Sequence, residues 1–160
     1  MNQEQFLNLI ESNQKLIYKV CHLYADSPED VDDLYQEIVL NIWRSAANFE
    51  ERSAIGTWLY RIALNTAITQ FRKAKRKQER EVDVELTAVV DPTSHFNEQH
   101  QALYGAIKQL NKVEKAIVLL YLESKSYREI GEIMGISENY VGVQLNRIKK
   151  KLRHLTEVPS

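Results

Sequence analysis

Ser126-Tyr127-Arg128-Glu129-Ile130-Gly131-Glu132-Ile133-Met134-Gly135-Ile136-Ser137 carries its own punctuation. Ser126 followed by Glu129 is a capping-box pattern: hydroxyl and carboxylate each accept the other residue's free backbone N–H at a helix start. Ile130, Ile133 and Met134 give that helix an apolar side, and Gly135 suits a left-handed C-cap. Ser137 is then placed to cap the next helix. A short capped helix, a tight turn with Gly and a second capped helix make the layout of a helix-turn-helix.

Working outward, the final helix divides cleanly at about 100° per residue. Val141, Leu145, Ile148 and Leu152 fall on one narrow side, which predicts the core side. The opposite side collects Asn139, Val143, Asn146, Arg147 and Lys150, with Gly142 and Arg153 at its edge. Amides and an Arg can hydrogen-bond base edges, a Val can touch a thymine methyl, and distal Lys residues suit phosphate. The absent side chain at Gly142 suggests close approach to a duplex.

Upstream, Leu103, Ile107, Leu110, Ile117, Leu120 and Tyr121 mark helices packing inward from about Gln101. Residues 81–100 differ: periodicity lapses, acids accumulate, and Asp91-Pro92-Thr93-Ser94 reads as a turn or breaker. Leu86 to Val90 is a short apolar run, better suited to docking than to a strand. Before it, residues 1–80 form another helical block. Phe6, Leu9, Ile10, Ile17 and Val20 recur at helical spacing; Ser27-Pro28-Glu29-Asp30 starts a helix with the stripe Leu34, Ile38 and Ile42. The expected fold is therefore all-α: two small helical domains, 1–80 and 101–160, joined by a flexible linker at 81–100, with the helix-turn-helix in the second.

A long helix is expected from Thr57. Leu59, Ile62, Ala63 and Thr66 share its core side, while Trp58, Arg61, Asn65, Thr69, Arg72 and Arg76 form a second stripe. Aromatic, Arg, amide and hydroxyl groups in a line suit nucleic acid, although Trp58 alone is better suited to core packing. From Thr57 to Lys77 the helix spans about 30 Å, nearly one turn of DNA. The polar loop from Asn48 to Ile55 sits at its N-terminal end, where an extruded base would find a pocket.

Composition limits the function classes. The chain has 160 residues, 44% hydrophobic and 27% charged, with only 5 Gly and 3 Pro, which suits a helical globular protein. A net charge of −1 argues against a general nucleic-acid binder, but the charge is segregated. Asp26, Glu29, Asp30, Asp32, Asp33 and Glu37 cluster; basic runs lie at 72–80 and 147–153. More than one kind of partner follows. One cysteine, Cys21, excludes an internal disulfide and points to a reducing compartment. The N-terminus lacks a signal-peptide core and no apolar stretch approaches membrane-spanning length, so a cytoplasmic protein without membrane insertion is expected.

Three segments resemble a known family. Asp33-Leu34-Tyr35-Gln36-Glu37-Ile38-Val39-Leu40-Asn41-Ile42-Trp43 resembles the segment by which sigma factors grip the β′ clamp helices of bacterial RNA polymerase. Thr57-Trp58-Leu59-Tyr60-Arg61-Ile62-Ala63-Leu64-Asn65 resembles the family's minus-ten helix, and Ser126 to Ser137 with Val141 and Arg147 resembles its minus-thirty-five reader. The chain is identified by this resemblance as a sigma-70 family member of the extracytoplasmic-function (ECF) type. The resemblance implies that Asp33, Gln36, Glu37 and Leu40 dock on core polymerase. It implies that Phe49, Ser53, Ile55, Trp58, Arg61, Asn65, Thr69, Arg72 and Arg76 engage the minus-ten region, with the Phe49–Ile55 loop holding a flipped base. It implies that Ser137, Asn139, Tyr140, Gly142, Val143, Asn146, Arg147 and Lys150 face the minus-thirty-five element. Its implied partners are the polymerase β′ clamp helices and β flap, promoter DNA and an anti-sigma factor. Departures concern promoter sequence: Thr69 stands where many members carry Asp, Ile55 where an aromatic is frequent, Tyr140 where Thr is common, and Gly142 and Gln144 at positions usually basic.

Two other classes compete. A helix-turn-helix repressor or activator would share the last block but have no use for Asp33–Trp43. An enzyme would need a site, and the acid cluster and Cys21-His22 have no recognisable ligand spacing, nor is there a phosphate loop or nucleophile motif. No catalytic residue, metal or cofactor is expected.

Overall fold

Side-chain caps at Asn2, Ser27, Asn111, Ser126 and Ser137 set five of the described helix starts, whereas Asn13 makes no side-chain cap hydrogen bond. The computed structural model describes residues 1–49, 54–80 and 98–156, with the backbone alone for 70–80 and 98–100. Among the described residues there are eight helices and no strand. The chain splits into two compact units, Met1–Val89 and Val90–Ser160.

In the first unit, α1 (Gln3–Ser12) starts at a capping box in which Asn2 Oδ1 accepts the Gln5 N–H at 2.8 Å. α1 stops at Asn13, and α2 (Gln14–Tyr24) follows directly, so the periodic stretch 6–20 is two helices rather than one. α3 (Pro28–Ala46) begins as the sequence indicates: Ser27 Oγ accepts the Asp30 N–H at 3.1 Å, and Pro28 stands where no N–H is needed. Val31, Leu34, Ile38 and Ile42 of α3 are buried with Ile17, Val20 and Cys21 of α2 and Leu59, Ala63, Leu64 and Ala67 of α4 (Ile55–Arg80). α4 therefore starts two positions ahead of the expected Thr57. One polar tie crosses this apolar interior: the Asn41 amide donates to Thr66 Oγ1 at 2.9 Å, and Thr66 donates to the Ile62 carbonyl at 2.7 Å. Such a tie fixes the register of α4 on α3, because sliding would leave a buried polar group unpaired.

In the second unit, α5 (Glu98–Lys108) begins ahead of the expected Gln101. α6 (Lys112–Leu122) has a capping box of Asn111 and Glu114, and α7 (Tyr127–Met134) has the expected one of Ser126 and Glu129. Hydrogen bonds from Ser126 hold the Glu129 carboxyl below its usual range. Gly135 closes α7 at φ 72°, the left-handed region that favours glycine. α8 (Glu138–Thr156) is capped by Ser137, whose Oγ accepts the Tyr140 N–H at 3.1 Å. Val141, Leu145 and Ile148 of α8 are buried, with Ile117, Leu120, Ile130 and Ile107.

Two apolar positions expected inside are outside. Leu103 lies a turn ahead of Ala106 and Ile107, the first buried side chains described on α5. Tyr121 leaves the α6 core side occupied by Ile117 and Leu120, and its ring instead lies under the Lys149 ammonium at 4.8 Å. The apolar run Leu86 to Val90 lies outside the described residues.

Ser124 sits in the α6–α7 turn at φ 63°, a conformation that penalises any Cβ. Ser124→Gly removes that strain and should stabilise the second unit by up to about 1 kcal/mol, after the extra chain entropy of glycine. Slower hydrogen exchange of α6 and α7 amides in the full chain is the expected result; unchanged exchange would contradict the strain.

Burial, with Asp32 adding repulsion, pushes the Cys21 thiol up to about 12. The neutral thiol is the form the fold favours, so its contribution is full below the ordinary thiol value of about 8.5 and is lost as pH rises through the folded value. Cys21 should therefore resist iodoacetamide at pH 8 in the folded chain and react once urea unfolds it.

Candidate functional site

α8 offers the most complete surface. Burying Val141, Leu145 and Ile148 turns Asn139, Val143, Asn146, Arg147 and Lys150 outward, and all five are exposed. With 19 residues the helix is about 28 Å long. Its exposed side combines two amides, a branched apolar group and two cations, the chemistry that reads base edges and meets phosphates in a major groove. Tyr140 is 47% and Val143 45% exposed, so the apolar contacts on this side are open to a partner. Ser137 stands at the tip, its hydroxyl engaged in the cap.

Gly142 is half-buried, and the structure gives it a neighbour that sequence reasoning missed. A Cβ built there would meet the Tyr127 ring at 3.6 Å, an ordinary contact distance. Tyr127, the first residue of α7, thus lies beside α8 at the edge of the reading side. The open approach expected at Gly142 is corrected accordingly: the Tyr127 ring flanks it.

The basic run 147–153 also divides. Lys151 Nζ donates to the Glu114 carboxylate at 2.6 Å, and Lys149 lies over Tyr121. Those two cations face α6, while Arg147 and Lys150 stand on the reading side. Sequence reasoning missed Glu114; the available signal was Asn111-Lys112-Val113-Glu114, a capping-box spacing.

On α4, Arg61, Asn65 and Thr69 are exposed and Trp58 is half-buried. Thr69 Oγ1 donates to the Asn65 carbonyl at 2.9 Å, leaving the Asn65 side-chain amide uninvolved in that bond. Trp58 meets Phe49 with ring centroids 4.6 Å apart at 44°. Phe49 of the loop and Trp58 of the helix form one pair at the start of α4. Ile55 is 43% exposed there. Ser53 lies outside the described residues, as do the side chains of Arg72 and Arg76.

On α3, Asp33, Gln36 and Leu40 are exposed and Glu37 is half-buried, opposite the buried Leu34, Ile38 and Ile42. Trp43 continues the outer side one turn on, 45% exposed, with its ring edge-on to Phe6 at 4.8 Å. This surface therefore passes from acids to apolar groups along the helix, a pattern for docking protein rather than DNA. Among the described residues no cluster of His, Cys, Asp and Glu is arranged to hold a metal ion, and no helix is long and apolar enough to cross a membrane. Cys21 is buried with a raised thiol, a poor metal ligand, and His22 beside it is exposed.

Comparison with known proteins agrees with this arrangement. Residues 9–77 match the sigma-70 region 2 family and residues 100–152 match the sigma-70 region 4 family. The chain is similar to the ECF RNA polymerase sigma factor SigW of Bacillus subtilis, 26% identical over 95% of this chain and 89% of that one. It is 30% identical to the ECF RNA polymerase sigma-E factor of Haemophilus influenzae, over 80% of this chain and 75% of the other. In fold it is similar to the sigma factor RpoE from Bartonella quintana, solved with the anti-sigma factor NepR, with a TM-score of 0.77, 19% identity and coverage of 98% and 99% of the two chains. It is also similar to CnrH, solved with the cytosolic domain of CnrY, with a TM-score of 0.71, 20% identity and coverage of 99% and 92%.

Because the Tyr127 ring leaves room for one methyl, Gly142→Ala should fit and replace a poor helix former with the best one. Up to about 1 kcal/mol of helix stabilisation is expected, read as slower hydrogen exchange of α8 amides; faster exchange would show that the methyl clashes.

Proposed function

This chain belongs to the sigma-70 family, in its ECF group, and from that premise we propose how its two helical units divide the work of starting transcription. It is an RNA polymerase sigma factor that binds core polymerase, recognises minus-thirty-five and minus-ten promoter elements and promotes initiation. It is a regulatory initiation factor and not an enzyme, so its chemistry is binding alone.

Residues 1–80 act as the polymerase-binding and minus-ten domain. The α3 surface of Asp33, Gln36, Glu37 and Leu40 docks on the β′ clamp helices: the acids steer and orient, and Leu40 supplies apolar contact. Along α4, Arg61, Asn65 and Thr69 continue into Arg72 and Arg76 as the minus-ten stripe. The Phe49–Trp58 pair walls the place where a non-template base is received, with Ile55 beside it, and Ser53 is assigned to the same minus-ten interaction. Unstacking a base costs a few kcal/mol, and aromatic stacking offsets part of that.

Residues 101–160 act as the minus-thirty-five domain and also meet the β flap. Ser137, Asn139, Tyr140, Gly142, Val143, Asn146, Arg147 and Lys150 supply the DNA-facing surface, and the linker that joins the domains ends ahead of α5, which begins at Glu98. An anti-sigma factor holds the protein inactive by covering these surfaces, a reading supported by the similar sigma factor RpoE having been solved with the anti-sigma factor NepR. The protein works in the cytoplasm, where polymerase is.

The observation that carries this reading is the exposed α8 row of Asn139, Val143, Asn146, Arg147 and Lys150, in a chain whose α3 presents a separate outer row of Asp33, Gln36 and Leu40. A lone helix-turn-helix regulator needs the first and not the second. The test is in vitro transcription with core polymerase, with start sites mapped. Asp33→Lys with Glu37→Lys should abolish recruitment to core, and unaffected recruitment would overturn the assignment. Arg147→Ala should weaken use of the upstream element by on the order of tenfold to a hundredfold, the effect of losing one specific base contact. Free protein should bind promoter DNA weakly at physiological salt, because each unit offers a small surface and only polymerase holds both together. Tight specific binding by the isolated chain would favour the lone regulator.

A further inference from the structure

We infer that Glu114 and Lys151 are a positioning pair that seats the C-terminal half of α8 for promoter reading, an inference resting on α8 being the minus-thirty-five reader. Neither residue lies on the DNA-facing row. Lys151 stands one turn beyond Ile148, the last fully buried side chain of α8. Leu152 beyond it is only half-buried, so the apolar grip on the helix is fading at this point. Lys150 projects from the same stretch, and Arg147 from the turn that leads into it, next to Ile148. Glu114 and Lys151 add a polar tie between that stretch and α6.

The acid at the other end is fixed. Glu114 has a side chain only 7% exposed, and both of its carboxylate oxygens are engaged. Oε1 accepts the Asn111 N–H at 3.1 Å in the capping box, and Oε2 accepts from Lys151 Nζ at 2.6 Å. The Glu114 N–H donates to Asn111 Oδ1 at 2.8 Å, which closes the box. Rotating the carboxylate would break the cap, so the Lys151 end of the bond is pinned in space. A short, charge-assisted and partly desolvated bond of this kind is stronger than a surface ion pair. Lys149 over Tyr121 adds a second tie between the same two helices.

The pair differs from a phosphate contact in the sign of one result. Glu114→Gln keeps a capping residue at the third helix position, since Gln serves there as well as Glu, and it releases the Lys151 cation. Were Lys151 a phosphate ligand restrained by Glu114, this variant would use the promoter as well as or better than the parent. As a positioning pair, it should lower transcription that depends on the upstream element about tenfold. Lys151→Met should lower it to a similar degree, and Lys151→Arg, which keeps a cationic donor, should restore most of it.

The experiment uses the full chain with core polymerase on a mapped promoter and on the same promoter with its minus-thirty-five element scrambled and its minus-ten region pre-melted. On the second template all variants should match the parent, and their binding to core should be unchanged. A defect equal on both templates would reflect misfolding or lost recruitment and would overturn the inference, as would full activity of Glu114→Gln on the intact promoter. Arg147→Ala serves as the reference: if it too is without effect, the reading of α8 fails; if it is defective while Glu114→Gln is not, only the positioning pair fails.

Discussion

Burial of one narrow apolar stripe on each helix is the constraint from which the surfaces follow. Val141, Leu145 and Ile148 are taken out of water, and the 3.6-residue period then leaves no choice for Asn139, Val143, Asn146, Arg147 and Lys150: they must face out. The same geometry on α3 buries Leu34, Ile38 and Ile42 and presents Asp33, Gln36 and Leu40. A surface made this way is rigid because its backing is a packed core. It is also narrow, because a helix offers only one strip. Two narrow strips in two small units are the kind of surface that gains from a larger partner holding both at once.

Polar ties complete what the apolar stripes leave loose. Apolar packing resists separation of helices better than it resists sliding or swinging of one along another. Asn41 to Thr66 sets register between α3 and α4. Leu40 precedes Asn41 and Asn65 precedes Thr66, so the residues of the two working surfaces flank the locked pair. In the second unit the Glu114 carboxylate performs a comparable task, joining the α6 cap to α8. Each tie is satisfied at both ends, and among the described residues no buried side-chain polar atom lacks a partner. That is the condition under which buried polar groups specify a structure rather than weaken it.

What the sequence made legible was local or periodic. The α7 capping box, the Gly135 stop, the Ser137 cap and the Ser27-Pro28 start all depend on residues within a few positions, and each formed as expected. The outward row on α8 came from period alone. Unreadable were contacts whose partners are far apart in the chain. Nothing near Gly142 announces Tyr127; nothing near Trp58 says that Phe49, across a loop, lies against it; nothing near Lys151 points to Glu114. Tyr121 was misplaced for a related reason. Its position continues an apolar pattern, but an aromatic ring can be covered by a cation as well as by a core. Helical period put Gln36 and Asn65 on outward faces, and family resemblance supplied the specific role of each.

Counting basic residues on α8 therefore overstates its electrostatic reach. Of the cations between Arg147 and Arg153, Lys149 and Lys151 are turned to α6, where one covers an aromatic face and the other completes a cap. Fewer phosphate contacts mean less counterion release, and so weaker and less salt-sensitive unspecific binding. The net charge of −1 works the same way. In the proposed role, a helix with little unspecific attraction draws its selectivity from base edges and shape, through Asn139, Val143, Asn146 and Arg147. On that proposal the placement of α8 matters more than its charge, and the Lys149 and Lys151 contacts with α6 are the ties that would fix it.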